Sequence, residues 1–114
     1  MSQELLRHKG EIVRVDINYN TSGDKTVIAA VAGSTIRIHR ITLYCNASNT
    51  LTLKDGTTAI MGAFAFVANE GWEHDACDHC PIKLSDGNAF TLNLGSSAQV
   101  SGAVWYAQDI TLNS

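Results

Sequence analysis

Apolar and polar residues alternate with period two over most of this chain, and short turn sequences punctuate the alternation. Val13, Val15, Ile17 and Tyr19 fall on one side of an extended segment, with Arg14, Asp16 and Asn18 on the other. Leu51 and Leu53 alternate with Thr52 and Lys54 before Asp55-Gly56 turns the chain. Phe64, Phe66 and Ala68 share a side, as do Phe90, Leu92 and Leu94 after a second turn at Asp86-Gly87. Alternation bounded by Asp-Gly is the pattern of antiparallel strands with one buried face.

Several segments vary the theme. Thr26 to Ala32 is a continuous run of small apolar residues, which predicts a strand buried on both faces. Thr35 to Cys45 predicts the longest strand, and it slips register. Ile36 and Ile38 share one side, whereas Ile41, Leu43 and Cys45 fall on the other. A β-bulge near His39-Arg40, or a sharp bend there, returns all five to the core. Thr58 to Met61 reads as a short strand, and Gln99 to Ile110 as the last one, with Gly102 placed for close backbone approach. Residues 69–83 lack alternation and predict the longest loop, at one end of the molecule.

The sum is an all-β fold of about eight strands with no helix. Two half-buried sheets must cover each other, so the expected architecture is a two-sheet antiparallel β-sandwich with Greek-key or jelly-roll-like connectivity. The expected core is Val13, Val15, Ile17, Ile36, Ile38, Ile41, Leu43, Leu53, Phe64, Phe66, Phe90, Leu92, Val104 and Tyr106.

With 114 residues the chain makes one domain, residues 11–114, preceded by a polar arm, residues 1–10. Leu5 and Leu6 are the arm's apolar pair, and the arm is expected to be mobile or ordered by a partner. The net charge of -3 argues against a nucleic-acid groove, which needs a basic stripe. Arg37 and Arg40 flank His39, but three residues make no groove. No apolar run approaches the ~18 residues of a membrane span. The N-terminus has no hydrophobic signal core, which points to synthesis in a cytoplasm. Charged residues are only 17% of the chain, and the small polar residues that replace them suit flat sheet surfaces packed against other subunits.

One stretch concentrates chemistry: Gly71-Trp-Glu-His-Asp-Ala-Cys-Asp-His-Cys-Pro81. The spacing of Cys77 and Cys80 lets both thiolates reach one tetrahedral zinc, with His74 or His79 as further ligands. No second Cys-x-x-Cys or His-x-x-His pair exists, so this is half a site. Three readings stand: free thiols in a partly buried loop, a metal site within one subunit or completed by symmetry mates, and a disulfide. Cys45 sits among apolar neighbours and reads as a small core residue. Trp72 is either a lid on the core or a binding anchor. His8 and His39 are isolated and read as surface residues. No Gly-x-Ser-x-Gly elbow, phosphate-cradling loop or His-Glu-x-x-His occurs, so the chain is not expected to be an enzyme, and no cofactor beyond that zinc is implied.

Val13-Arg-Val-Asp-Ile-Asn-Tyr-Asn is followed by Ser22-Gly-Asp-Lys-Thr-Val-Ile-Ala-Ala-Val-Ala-Gly and Ile36-Arg-Ile-His-Arg-Ile-Thr-Leu. Then come Leu53-Lys-Asp-Gly-Thr-Thr-Ala-Ile-Met-Gly, Phe66-Val-Ala-Asn-Glu-Gly, Asn88-Ala-Phe-Thr-Leu-Asn-Leu and Gln99-Val-Ser-Gly-Ala-Val-Trp-Tyr. In this order, over residues 11–107, the segments resemble small virion structural proteins of tailed phages and prophages, of the capsid decoration or head-fibre type. The resemblance implies a jelly-roll sandwich that assembles as a homotrimer or another symmetric oligomer on the capsid surface. Its partners would be its own copies and the major capsid protein, with no nucleic acid and no membrane. It would be made in the host cytoplasm and end in the virion. The alternative is a receptor- or glycan-binding module of a tail fibre or spike, which exposed aromatics such as Trp72, Tyr19 or Tyr44 would favour. The cysteine-containing loop departs from the family pattern, so nothing about it carries over.

Overall fold

A computed structural model describes residues 7–8, 11–76 and 81–111. Its strands are β1 (Arg7–His8), β2 (Val13–Tyr19), β3 (Gly23–Ile28), β4 (Ser34–Cys45), β5 (Asn49–Asp55), β6 (Thr58–Phe66), β7 (Glu70–Asp75), β8 (Ile82–Lys83), β9 (Phe90–Leu94) and β10 (Val100–Thr111). They form two antiparallel sheets. In the first, β10 pairs with β1 and β2 on one side and with β4 on the other, and β4 then pairs with β7 and β8. The second runs β3-β9-β5-β6.

Apart from the β5–β6 hairpin, successive long strands cross from one sheet to the other, which is jelly-roll connectivity. The expected all-β sandwich is what forms. β1 and β8 are two-residue pieces; the eight longer strands match the expected number but not its members, since β7 lies where a loop was expected and two expected strands join as β6. No helix among the described residues is long and apolar enough to cross a membrane.

The register slip in β4 resolves as a bulge. Trp105 of β10 pairs with Arg40, yet the next residue, Tyr106, pairs with Ile38, so His39 is the extra residue. Ile36, Ile38, Ile41, Leu43 and Cys45 are consequently all buried. Across the sandwich they meet Leu51, Leu53, Phe90, Leu92 and Leu94, each no more than 1% exposed. Burial pushes the Cys45 thiol up, and the nearby Glu70 carboxylate adds to the shift, so Cys45 packs as a neutral core side chain.

Four expectations need correction. β3 ends at Ile28, and residues 29–32 are an exposed crossing to the first sheet. A register shift between Thr26 and Ile28 turns both Val27 and Ile28 inward, which mimics a doubly buried strand in the sequence. Residues 69–83 are not one loop at an end of the molecule but carry β7 and β8 along the edge of the first sheet. Edge strands are half solvated, so Glu70, Trp72 and His74 occupy the inward side without an apolar rhythm. Val13 is 42% exposed, because β2 is itself an edge strand, and Val15, Phe64 and Tyr106 are only partly buried. Finally, β6 continues past Met61 to Phe66 with two register shifts against β5, and Ala68 is exposed beyond its end.

Polar side chains tie the loops to this frame. Asn49 is buried, donates to the carbonyls of Ser96 and Ala98 (3.2 Å each) and accepts from the N–H groups of Ser96 (3.0 Å) and Thr50 (2.8 Å). Asp55 accepts from the Ser85 N–H (3.0 Å), the Ser85 hydroxyl (2.8 Å) and Asn88 Nδ2 (2.9 Å). Burial works to raise the Asp55 pKa, but the hydrogen bonds from Asn88 and Ser85 outweigh it and hold the carboxyl below the ordinary value.

A depressed native pKa stabilises the fold above the unfolded value, about 3.9, and that stability is lost as pH falls through the native value. Asp55→Asn is therefore expected to lower the urea midpoint near neutral pH and to converge with wild type well below pH ~4. A gap that stays constant on acidification would remove the charge from the explanation.

Candidate functional site

The inward and outward rows of the first sheet follow from its register. Val15, Val104 and Ile41 form an inward row; the adjacent row, Arg14, Trp105 and Arg40, points outward. The Arg40 guanidinium lies 4.9 Å from the centre of the Trp105 ring and also pairs with Glu73 on β7. Arg14 pairs with Asp16 at 3.2 Å, and both are largely exposed. Arg37, next outward on β4, pairs with Asp109, whose side chain is only 4% exposed. Tyr44 stands at the far end of the same face and donates its hydroxyl to Asn69 Oδ1 (3.0 Å). Trp105 is half-buried.

The outer face of the second sheet has different chemistry. With Leu92 and Leu94 inward, Thr91 and Asn93 point out, beside Thr26 and Asp24 of β3 and Thr52 and Lys54 of β5. Asp24 accepts from Asn93 Nδ2 (2.7 Å) and from Lys54 Nζ (3.1 Å), and these contacts lower its pKa, Asn93 contributing most. The described arginines, Arg7, Arg14, Arg37 and Arg40, all belong to the first sheet, as do Trp105 and Tyr44. Tyrosine, tryptophan and arginine are the residues that concentrate binding energy in protein interfaces. Threonine-rich faces carry no such anchors.

Along the open side of the sandwich, β6 and β7 border a cleft of about 330 Å³ whose lining includes Phe64, Phe66, Glu70, Gly71 and Trp72. Phe64 packs on Trp72 at 5.0 Å between ring centres, and Trp72 stacks on His74 at 6.0 Å with 11° between the planes. Both neighbours of Trp72 are aromatic, so the ring is a rung in a ladder that closes the core edge. Trp72 is the lid and not a free stacking platform. The Glu70 carboxylate at the rim accepts from the Val67 N–H (2.9 Å).

Of the residues proposed for a metal, the structure places His74, half-buried on β7. Cys77, His79 and Cys80 lie outside the described residues, so the zinc, thiol and disulfide readings have no geometry to compare. Among the described residues no three His, Cys, Asp or Glu side chains are grouped to hold a metal ion. His39, read from sequence as a surface residue, is the partly buried residue of the β4 bulge, and its carbonyl accepts from the Ala76 N–H (2.9 Å).

The Arg14–Trp105–Arg40 row escapes sequence reasoning. Its members come from β2, β10 and β4, and only the pairing register brings them side by side. The available signal was the outward parity of Trp105 in the last strand, opposite Val104 and Tyr106.

No protein-family model matches the sequence, and no curated protein matches it. Three solved structures align with most of the chain. A chain of the virus-like particle of the extra small virus of the giant freshwater prawn Macrobrachium rosenbergii is 13% identical, covering 89% of this chain and 79% of that one with a TM-score of 0.47. A chain from the disulfide-linked pili of Bacillus endospore appendages is 12% identical over 94% of this chain and 91% of that one, with a TM-score of 0.47. A chain of the cyanophage Pam1 capsid asymmetric unit is 14% identical over 90% and 84%, with a TM-score of 0.44. These three neighbours come from a virus-like particle, a phage capsid and a pilus, all at low sequence identity.

Proposed function

We propose that this protein is a non-enzymatic virion structural protein, a capsid decoration protein of a tailed phage that seats on the head as a symmetric oligomer and cements neighbouring capsomers. The Arg14–Trp105–Arg40 row carries the reading. It lies on the outer face of a broad sheet and combines a large ring with two guanidinium groups, the make-up of a protein-binding hot spot. The segments that resemble tailed-phage virion proteins supply the identity of the partner, the major capsid protein. Jelly rolls are a recurrent fold of capsid and lectin domains, which supports the reading by analogy only.

Repeated weak contacts suit such a protein, since identical subunits around an axis present matching patches and bind tightly by multivalency. The test is co-sedimentation with heads that lack the protein. Wild type is expected to pellet with them, and Trp105→Ala to bind about 30-fold more weakly per site, the loss of one hot-spot residue worth about 2 kcal/mol. Equal binding by the variant would move the seat to another face. Wild-type protein that ignores heads but binds host cells or glycans would replace decoration with receptor binding.

A further inference from the structure

β6 ends the second sheet: it pairs with β5, and no described strand lies on its other side. An open sheet edge presents unpaired N–H and C=O groups, and proteins ordinarily guard it with charged side chains. The other outer strands follow that rule. β2 carries Arg14 and Asp16, β3 carries Asp24 and Lys25, and β7 carries Glu70, Glu73 and Asp75. β6 does not, since residues 57–69, which include the whole strand, contain no charged side chain.

Bulges guard edges too, and β6 has two register shifts against β5. Both fall before Phe64, so the stretch that pairs Phe64, Ala65 and Phe66 with Leu51, Thr50 and Asn49 is regular. Phe64 and Phe66 turn toward the core, whereas Ala63, Ala65 and Val67 are exposed. Val67, at 64%, is the most exposed of the large apolar side chains described.

The backbone here has an open side. The Thr50 carbonyl accepts from the Gly95 N–H (2.8 Å), just past β9, so Thr50 turns its backbone away from β6. In an antiparallel ladder its partner Ala65 then turns its own N–H and C=O away from β5, to the open side. The Val67 N–H is satisfied by the Glu70 carboxylate (2.9 Å), which closes the row beyond Ala65.

A second copy supplies a matching strand. Two copies of β6 related by a two-fold axis run antiparallel, and an axis beside Ala65 sets the two Ala65 residues opposite each other. Each then donates its N–H to the other's carbonyl. Phe64 of one copy opposes Phe66 of the other, an aromatic cross-strand pair, and Ala63 opposes Val67. Any of the charged edges would instead set a charge against this apolar row.

We infer that β6 is a self-association edge, through which residues 63–67 of two copies join their four-stranded sheets into one continuous antiparallel sheet. The inference deepens the symmetric oligomer proposed above, rests on that part of the reading, and gives the oligomer a two-fold axis.

Sedimentation equilibrium tests it on wild type, Ala65→Lys, Ala65→Asp and Val31→Lys. Wild type is expected to form a dimer or an even multiple of it. Each Ala65 variant should associate at least about 10-fold more weakly, because the axis sets two like charges directly opposite. Mixing the two Ala65 variants should restore association, since opposite charges then face each other. Val31 is 49% exposed outside β6, so Val31→Lys should associate like wild type. All four should keep the same β-sheet circular dichroism. A wild-type monomer would leave the edge to another chain and overturn the inference. An odd-numbered oligomer, unchanged association of the Ala65 variants, no recovery on mixing, or an equal loss in Val31→Lys would each overturn it as well. Head binding is read separately by co-sedimentation, so failure of the decoration reading leaves this result intact, and the reverse holds too.

Discussion

Gly102→Ala is expected to destabilise the fold by about 3 kcal/mol or more, because the space for a methyl group at this position is already filled by backbone. An ideal Cβ built on Gly102 would lie 1.9 Å from the Thr42 carbonyl oxygen, 2.8 Å from its carbonyl carbon and 3.2 Å from the Leu43 Cα. None of these atoms ends a flexible side chain that can swing aside. They belong to β4, which pairs with β10 over eleven register positions from Val100–Cys45 to Ile110–Ser34. Relief must therefore part the two central strands of the first sheet or bend one of them.

The stability of a small domain is about 5–15 kcal/mol, so a loss of this size takes a large share of it. For a chain of this length it corresponds to a fall in Tm of roughly 10 °C or more. Thermal unfolding followed by circular dichroism measures it. A variant that melts within a degree or two of wild type would show that the strands part at little cost. Gly87→Ala is the contrasting case, since nothing lies within 4 Å of its Cβ and only its positive φ of 75° resists the change. Its cost should stay near 1 kcal/mol.

How far the fold could be read from the chain depends on whether a signal is local. The alternation of β2, β5 and β9 is local, because each strand presents one face to the core. The β4 bulge was legible too: five apolar residues on two parities demand one extra residue, and His39 proved to be it. Close approach at Gly102 was legible because a glycine in mid-strand has few other uses.

The failures share a cause. β7 lies on a sheet edge, where Glu70 stays exposed and His74 half-buried on the inward side, so its strand character leaves no apolar trace. Thr26 to Ala32 failed because apolarity does not reveal where a chain leaves a sheet. For the site, the sequence drew attention to the cysteine loop, where metal-ligand spacing is a local signal. The row through Trp105 depends on which strands are neighbours, and periodicity carries no information about that.

The same blindness to distant pairing hides the interaction whose loss should cost about as much as the glycine clash. Arg37 Nε pairs with Asp109 Oδ2 across 72 positions of sequence, with side-chain exposures of 23% and 4%. Ala107 stands directly opposite Arg37 in the register, and its small side chain leaves room for the guanidinium to reach across β10 toward Asp109. Arg37→Met removes the charge while keeping most of the aliphatic stem. The carboxylate then stays in a site that excludes water without the guanidinium beside it, and the expected cost is about 3 kcal/mol.

Replacing both partners, as Arg37→Met with Asp109→Leu, should recover most of that loss, because no charge is left to desolvate. The single-variant cost should also persist in high salt, where the exposed Arg14–Asp16 pair at 3.2 Å would be screened. Urea unfolding of wild type, both single variants and the double variant closes the cycle. A cost below about 0.5 kcal/mol for Arg37→Met, the range of ordinary surface pairs, would mean that the pair contributes nothing beyond its solvent-exposed counterparts.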